Sequence, residues 1–194
     1  MSSVATTGGT THIQASVPTT ELTVFGFTSP YSRVELFNSK LFDVTYSKAN
    51  GYFQFDRTIV PKNTGEICLL AVDASDRHSS PVCLPPPPPI NHLTHIGPIV
   101  LPPTLTIDQH TNQNHSLISA SGQTIPFSPV SIYLYQTTNT HHLVKPAAAF
   151  GLPLFTTTSD STGNYSLSLP DNYVSDYRLF STITFSGLLS PKSN

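Results

Sequence analysis

Apolar and polar residues alternate with a period of two in stretches that come in near-identical pairs. In Ser32-Arg33-Val34-Glu35-Leu36-Phe37, Val34 and Leu36 fall on one side and Arg33 and Glu35 on the other, as in a strand with one wet face. Pro129-Val130-Ser131-Ile132-Tyr133-Leu134-Tyr135 repeats the pattern, with Val130, Ile132 and Leu134 directed inward. A second pair of runs, Tyr52-Phe53-Gln54-Phe55 and Asn164-Tyr165-Ser166-Leu167-Ser168-Leu169, sends Phe53 and Phe55, or Tyr165, Leu167 and Leu169, to one face. Aromatic residues on the alternating face read as core rather than as a ligand platform.

The pairing extends beyond periodicity. Residues 26–37 align without a gap on 122–133, giving G-x-T-x-P-[FY]-S-x-V-x-[LI]-[FY], and 47–55 align on 159–167 around Gly51 and Gly163. Leu69-Leu70 and Ser80-Pro81 then recur in register as Leu179-Phe180 and Ser190-Pro191. Three matches in one order mean two tandem modules, and a repeat is architecture before it is chemistry. In the first block Gly26 and Gly122 read as turns, since glycine permits a positive φ and the following proline presets its own. Asn50-Gly51 and Thr162-Gly163 read as the corners of a second hairpin.

Several short strands at this spacing predict an all-β chain of two antiparallel sandwiches. At 194 residues each module has room for its own core. The 18 prolines, abundant Thr and Ser and absence of Trp suit strands and turns, and no helix is expected beyond a single turn near Lys145 and Phe150. The expected division is a flexible segment over 1–11, module one over 12–84, a polyproline linker over 85–98 and module two over 99–194. The five prolines at 85–89 favour an extended, stiff spacer over a ligand for aromatic-lined domains. The segment 96–107 is expected to lead into the first strand of module two, with its prolines on an edge. Module two carries an insertion near 136–154, the best place for binding groups. It also stops soon after Ser190-Pro191, so its last strand is expected to be missing.

A formal net charge of -2, with only 10% charged residues, excludes a basic field for nucleic acid. No apolar run is long enough to span a bilayer, and the opening residues do not read as a secretory signal. The composition nonetheless suits a secreted surface protein, so the chain is expected to be part of a longer polypeptide. Cys68 and Cys83 flank a strand, a polar turn and a strand whose centre lies between Ser75 and Asp76, which sets the cysteines opposite one another. A disulfide is favoured, against the alternative of two buried thiols in a reducing compartment.

Candidate chemistry is sparse. His92, His95, His110, His115, His141 and His142 lie in loop-like stretches without carboxylate or cysteine clusters, and solvated histidines are the default. The acidic residues are dispersed, Asp73 and Asp76 reading as polar corners, so no catalytic arrangement is expected. Asp160, at the Thr162-Gly163 corner, offers one carboxylate for a weak calcium site, whereas Lys48 holds the matching place in module one.

The G-x-x-x-P-x-S-x-V-x-[LI] block followed by [TS]-x-[AS]-x-G-x-[FY]-x-[FL] resembles bacterial immunoglobulin-like repeats of cell-surface and adhesin-type proteins. The same layout is similar to carboxypeptidase-regulatory-like and transthyretin-like sandwiches. An aspartate three residues before the glycine is common in such adhesin repeats; Asp160 keeps it and Lys48 does not. The resemblance implies an extended extracellular stalk whose partners are neighbouring domains of a longer chain, without an active site. The other class of function is a carbohydrate- or protein-binding module using Tyr133, Tyr135, His141, His142 and Phe150 around the insertion. Exposed rings would favour binding, and covered rings would favour the spacer.

Overall fold

Val34 and Leu36 have no solvent exposure, and Arg33 and Glu35 form an ion pair of 2.9 Å on the opposite face of their strand. A computed structural model describes residues 20–61, 64–86, 93–112, 115–136, 154–169 and 177–193 of the protein. In chain order its strands are β1 (Thr20–Phe27), β2 (Arg33–Phe37), β3 (Phe42–Tyr46), β4 (Tyr52–Val60), β5 (Ile67–Val72), β6 (Val82–Leu84) and β7 (Thr94–Val100). A second half follows with β8 (Thr106–Asn112), β9 (His115–Gln123), β10 (Pro129–Gln136), β11 (Leu154–Thr158), β12 (Asn164–Leu169), β13 (Tyr177–Phe185) and β14 (Leu188–Leu189). The described residues are all-β, without a helix, in four open sheets.

The first half holds sheets of order β4-β1-β7 and β3-β2-β5-β6, and the second holds β12-β9-β8 and β11-β10-β13-β14. Leu22 and Val24 of β1, Phe53 and Phe55 of β4, Val34 and Leu36 of β2, and Leu69 and Ala71 of β5 form one buried cluster fed by both sheets. Burying each such Leu or Phe side chain contributes about 1.5–3 kcal/mol. Val130 and Ile132 of β10, Ile183 of β13 and Tyr165 of β12 form the second cluster, which also takes in Val100 and Phe27 from the first half.

The repeated blocks meet one another in space, in the same way in each half. Ser47 Oγ donates to the Ser29 carbonyl at 2.6 Å and accepts from Ser32 N at 2.8 Å; Ser159 Oγ does the same with the Ile125 carbonyl at 2.7 Å and Ser128 N at 2.9 Å. The Gly51 and Gly163 carbonyls accept from Thr28 N and Thr124 N, and both glycines have φ of +80°. The S-x-x-x-G hairpin thereby clips the P-[FY]-S loop against the sheet. Tyr31 and Phe127 in that loop are about 70% exposed and adopt left-handed φ of 55° and 56°.

Gly26 and Gly122 are not turns. They lie inside β1 and β9, where a Cβ would collide with the carbonyl of Ile99 and of Thr104. Close approach of a neighbouring backbone, not a positive φ, is what requires glycine there.

The 96–107 segment also differs from expectation. Thr94–Val100 pairs in parallel with β1 and completes the first sheet, so 94–98 of the expected linker belong to a strand. Pro98 keeps its edge position because β7 is the outer strand. Pro85 and Pro86 are exposed, while 87–92 fall outside the described residues. In the second half β8 occupies the place of β7 but runs antiparallel to β9. Among the described residues no strand follows β14; Ser193 N donates to the Ser181 carbonyl at 2.9 Å and Ser193 Oγ accepts from Ser181 N at 2.8 Å. Cys68 and Cys83 face each other across β5 and β6 and form a disulfide with S–S 2.00 Å.

The two halves meet at the ends of β1 and β9. The Phe27 ring lies 4.8 Å from that of Phe185 at the end of β13, and Ala74 N, just past the end of β5, donates to Gln123 Oε1 at 3.4 Å. Gln123 occupies the repeat position of Phe27, so the same position of each half reaches across the junction. Beneath them Asp73, 4% exposed, accepts from Ser75 N at 2.8 Å, Arg77 N at 3.1 Å, Arg77 Nε at 2.7 Å and Thr104 Oγ1 at 2.5 Å. Thr104 Oγ1 in turn accepts from Gln123 N at 2.9 Å.

Tyr165 ties this junction to the second core, its hydroxyl donating to the Thr104 carbonyl at 2.6 Å and lying 3.0 Å from Ser181 Oγ. Burial pushes the phenol up to about 12 from its ordinary 10.0. The folded state therefore favours the neutral phenol, and this stability is complete below pH 10 and lost as pH rises through 12. Tyr165→Phe is expected to cost about 1–3 kcal/mol in denaturant melts at neutral pH, from the unpaired Thr104 carbonyl. It should also flatten the decline of stability across that alkaline window.

Candidate functional site

The insertion is the expected place for binding groups, and its base is set by β10 and β13. With Val130, Ile132 and Leu134 inward, Tyr133 stands on the outer face opposite Phe180. The rings stack at 4.8 Å with 12° between planes, and Lys192 Nζ lies 4.4 Å from the Phe180 centroid. Such a cation over a ring contributes about 0.5–1 kcal/mol at an exposed site. Tyr133 is half-buried, with one face on Phe180, so its ring is partly taken up by the protein itself. Tyr135 is on the same strand, paired with Arg178, and its side chain is outside the described residues, as are His141, His142 and Phe150.

Asp160 lies at the β11–β12 corner. Its Oδ1 accepts from Thr162 N at 2.8 Å, Thr162 Oγ1 at 2.7 Å and Asn164 N at 2.9 Å. The Thr162 hydroxyl first, then the backbone amides, holds the carboxyl below its ordinary 3.8. This carboxylate thus folds its own hairpin with one oxygen, and the other oxygen is what a cation would meet. No group of three His, Cys, Asp or Glu suited to a metal occurs among the described residues. The corner offers calcium a single carboxylate, short of the six to eight oxygens that ion takes.

Next to this corner a cleft of about 500 Å³ opens between the halves. Ser75 and Arg77 line it from the first half; Ser121, Thr157, Asp160 and Ser166 face it from β9, β11, the corner and β12. Sequence reasoning passed over this place because its groups come from segments far apart in the chain. The one local sign was Asp73 with Arg77, an acid and a base four residues apart across a turn, whose Nε–Oδ2 distance is 2.7 Å.

No protein-family model matches the chain, and no curated protein matches it. Among solved structures it is similar to a "putative carbohydrate binding protein" of Bacteroides uniformis, at 11% identity and a TM-score of 0.25, over 88% of this chain and 96% of that one. It is also similar to a DUF3823 family protein of Bacteroides ovatus, at 14% identity and a TM-score of 0.26, over 91% of this chain and 94% of that one. No helix of the described residues is long and apolar enough to cross a membrane.

The corner itself gives a test. Asp160→Ala should speed hydrogen exchange at the Thr162 and Asn164 amides, while Asp160→Asn, which keeps an oxygen acceptor, should retain most of the protection. Because the folded-state pKa is lowered, protection from the carboxylate is complete above the ordinary value of 3.8 and is lost as pH falls through the lower folded value. Exchange rates equal in wild type and Asp160→Ala would contradict this role.

Proposed function

We propose that this chain is a non-enzymatic spacer segment of a bacterial cell-surface or secreted adhesin-like protein, built of two immunoglobulin-like β-sandwiches. The observation that carries this reading is the junction. Phe27 and Val100 of the first half are part of the second core, and the buried Asp73 carboxylate is bonded to Arg77 on its own turn and to Thr104 on the way into the second half. A joint of this kind fixes the angle between two units, which is what a spacer must do. On this reading, neighbouring domains of a longer chain lie beyond the ends of the two units that are remote from the joint.

Where the polar groups go supports the same reading. Ser47, Ser159, Asp73 and Asp160 bond backbone amides of loops and turns, so the repeated motif serves folding. The disulfide fits an oxidising, extracellular location. Tyr133, stacked on Phe180, fits a structural part better than an open sugar platform.

Small-angle X-ray scattering of the wild-type chain should give a single elongated envelope with a narrow distribution of interdomain angles. Asp73→Ala removes the carboxylate that ties Ser75, Arg77 and Thr104 together and should broaden that distribution. A broad distribution in the wild type would contradict a fixed joint.

A further inference from the structure

Several hydroxyl groups in this chain hold backbone. Ser79 Oγ accepts from Ala71 N at 3.0 Å and Ser190 Oγ from Ile183 N at 3.0 Å, as Ser47 and Ser159 do in their loops. The hydroxyls around the junction cleft hold no backbone, a state they share with Thr94 and Thr124 Oγ1 elsewhere. Those of Ser75, Ser121, Thr157, Thr158 and Ser166 have no hydrogen-bond partner among the described residues. They come from the 73–77 turn, β9, β11 and β12, which together line one concavity.

The charged groups at the cleft are held from behind. Asp73 fixes Arg77 through Nε, leaving the two terminal guanidinium nitrogens without a partner among the described residues, and the Asp160 corner fixes Oδ1, leaving Oδ2 likewise without one. The cleft therefore presents donors and acceptors in rigid positions, so little ordering is needed on binding. Its volume, about 500 Å³, falls among those of small-molecule sites.

The charges choose the ligand class. Arg77 is matched by Asp73, and Asp160 adds a negative charge, so a phosphate or sulfate gains no net attraction there. A lining of free hydroxyls offers little to an apolar molecule, which would leave those groups unsatisfied. A molecule that carries several hydroxyls, each able to donate and accept, matches every free group. We propose that the junction cleft binds a neutral saccharide, one or two sugar residues in size, either free or as part of a polysaccharide chain. The site goes beyond the spacer role, and a spacer without it remains a spacer.

The test uses the full chain and two kinds of probe: methyl glycosides of glucose, galactose and mannose with their disaccharides, and soluble neutral polysaccharides. Saturation-transfer NMR detects binding, and amide shift mapping locates it. Expected are shifts at Ser121, Thr157 and Ser166, and at least a tenfold loss of affinity in Thr157→Val/Ser166→Ala, with Tyr133→Leu binding as wild type. Response to the small glycosides means recognition of a free or terminal sugar; response to polysaccharide alone means recognition within a chain. Thr157→Val preserves shape, and the shift map of the wild type locates the site even if the double variant folds poorly. No binding by any probe, shifts confined to the Tyr133 face, preference for a sulfated sugar over its neutral counterpart, or full affinity in a folded double variant would each overturn the proposal.

Discussion

A carboxylate with no access to water must find its partners inside the protein, and Asp73 finds them on both sides of the junction. Three of its bonds come from its own turn, from Ser75 N, Arg77 N and Arg77 Nε, and one from Thr104, in the segment that leads into the second half. Thr104 is bonded onward to Gln123, and Gln123 Nε2 donates to Asn164 Oδ1 at 2.8 Å. One buried charge thus imposes a chain of polar contacts from the first half to the far hairpin. Phe27 against Phe185 and Val100 in the second core supply the apolar part of the same joint.

Repetition in the sequence has a physical counterpart in this arrangement. Each half needs one loop and one hairpin clipped together by a serine hydroxyl and a glycine carbonyl, and these needs explain most of the repeated motif: Ser47 and Ser159, Gly51 and Gly163, and the extended approach at Gly26 and Gly122. The exposed Tyr31 and Phe127 follow from it too, since the loop takes a left-handed step there and turns the ring outward. Where the halves differ, the difference serves the joint. Phe27 becomes Gln123, so this position contacts the other half through a ring pair in one case and a hydrogen bond in the other. The antiparallel β8, in place of the parallel β7, carries the chain away from the junction so that β9 can return to it.

What the residues revealed in advance was the part governed by neighbours in the chain. Alternation identified the inward faces of β2, β4, β10 and β12, and turn chemistry located the corners at Gly51 and Gly163, because both depend on a few adjacent residues. The facing cysteines were legible for the same reason, a hairpin of known centre. Long-range contacts were not. Gly26 looks like a turn until Ile99 is laid beside it, β7 looks like a lead-in until it pairs with β1, and Asp73 looks like a solvated corner until Thr104 covers it. The cleft was hidden for that reason as well, since its lining comes together only when β9, β11 and β12 are assembled against the 73–77 turn.

A shared joint makes the two halves one cooperative unit, because the second core is incomplete without Phe27 and Val100. Differential scanning calorimetry of the oxidised chain measures this directly. The account predicts a single unfolding transition whose van't Hoff and calorimetric enthalpies agree. Two separable transitions, one for each half, would contradict it.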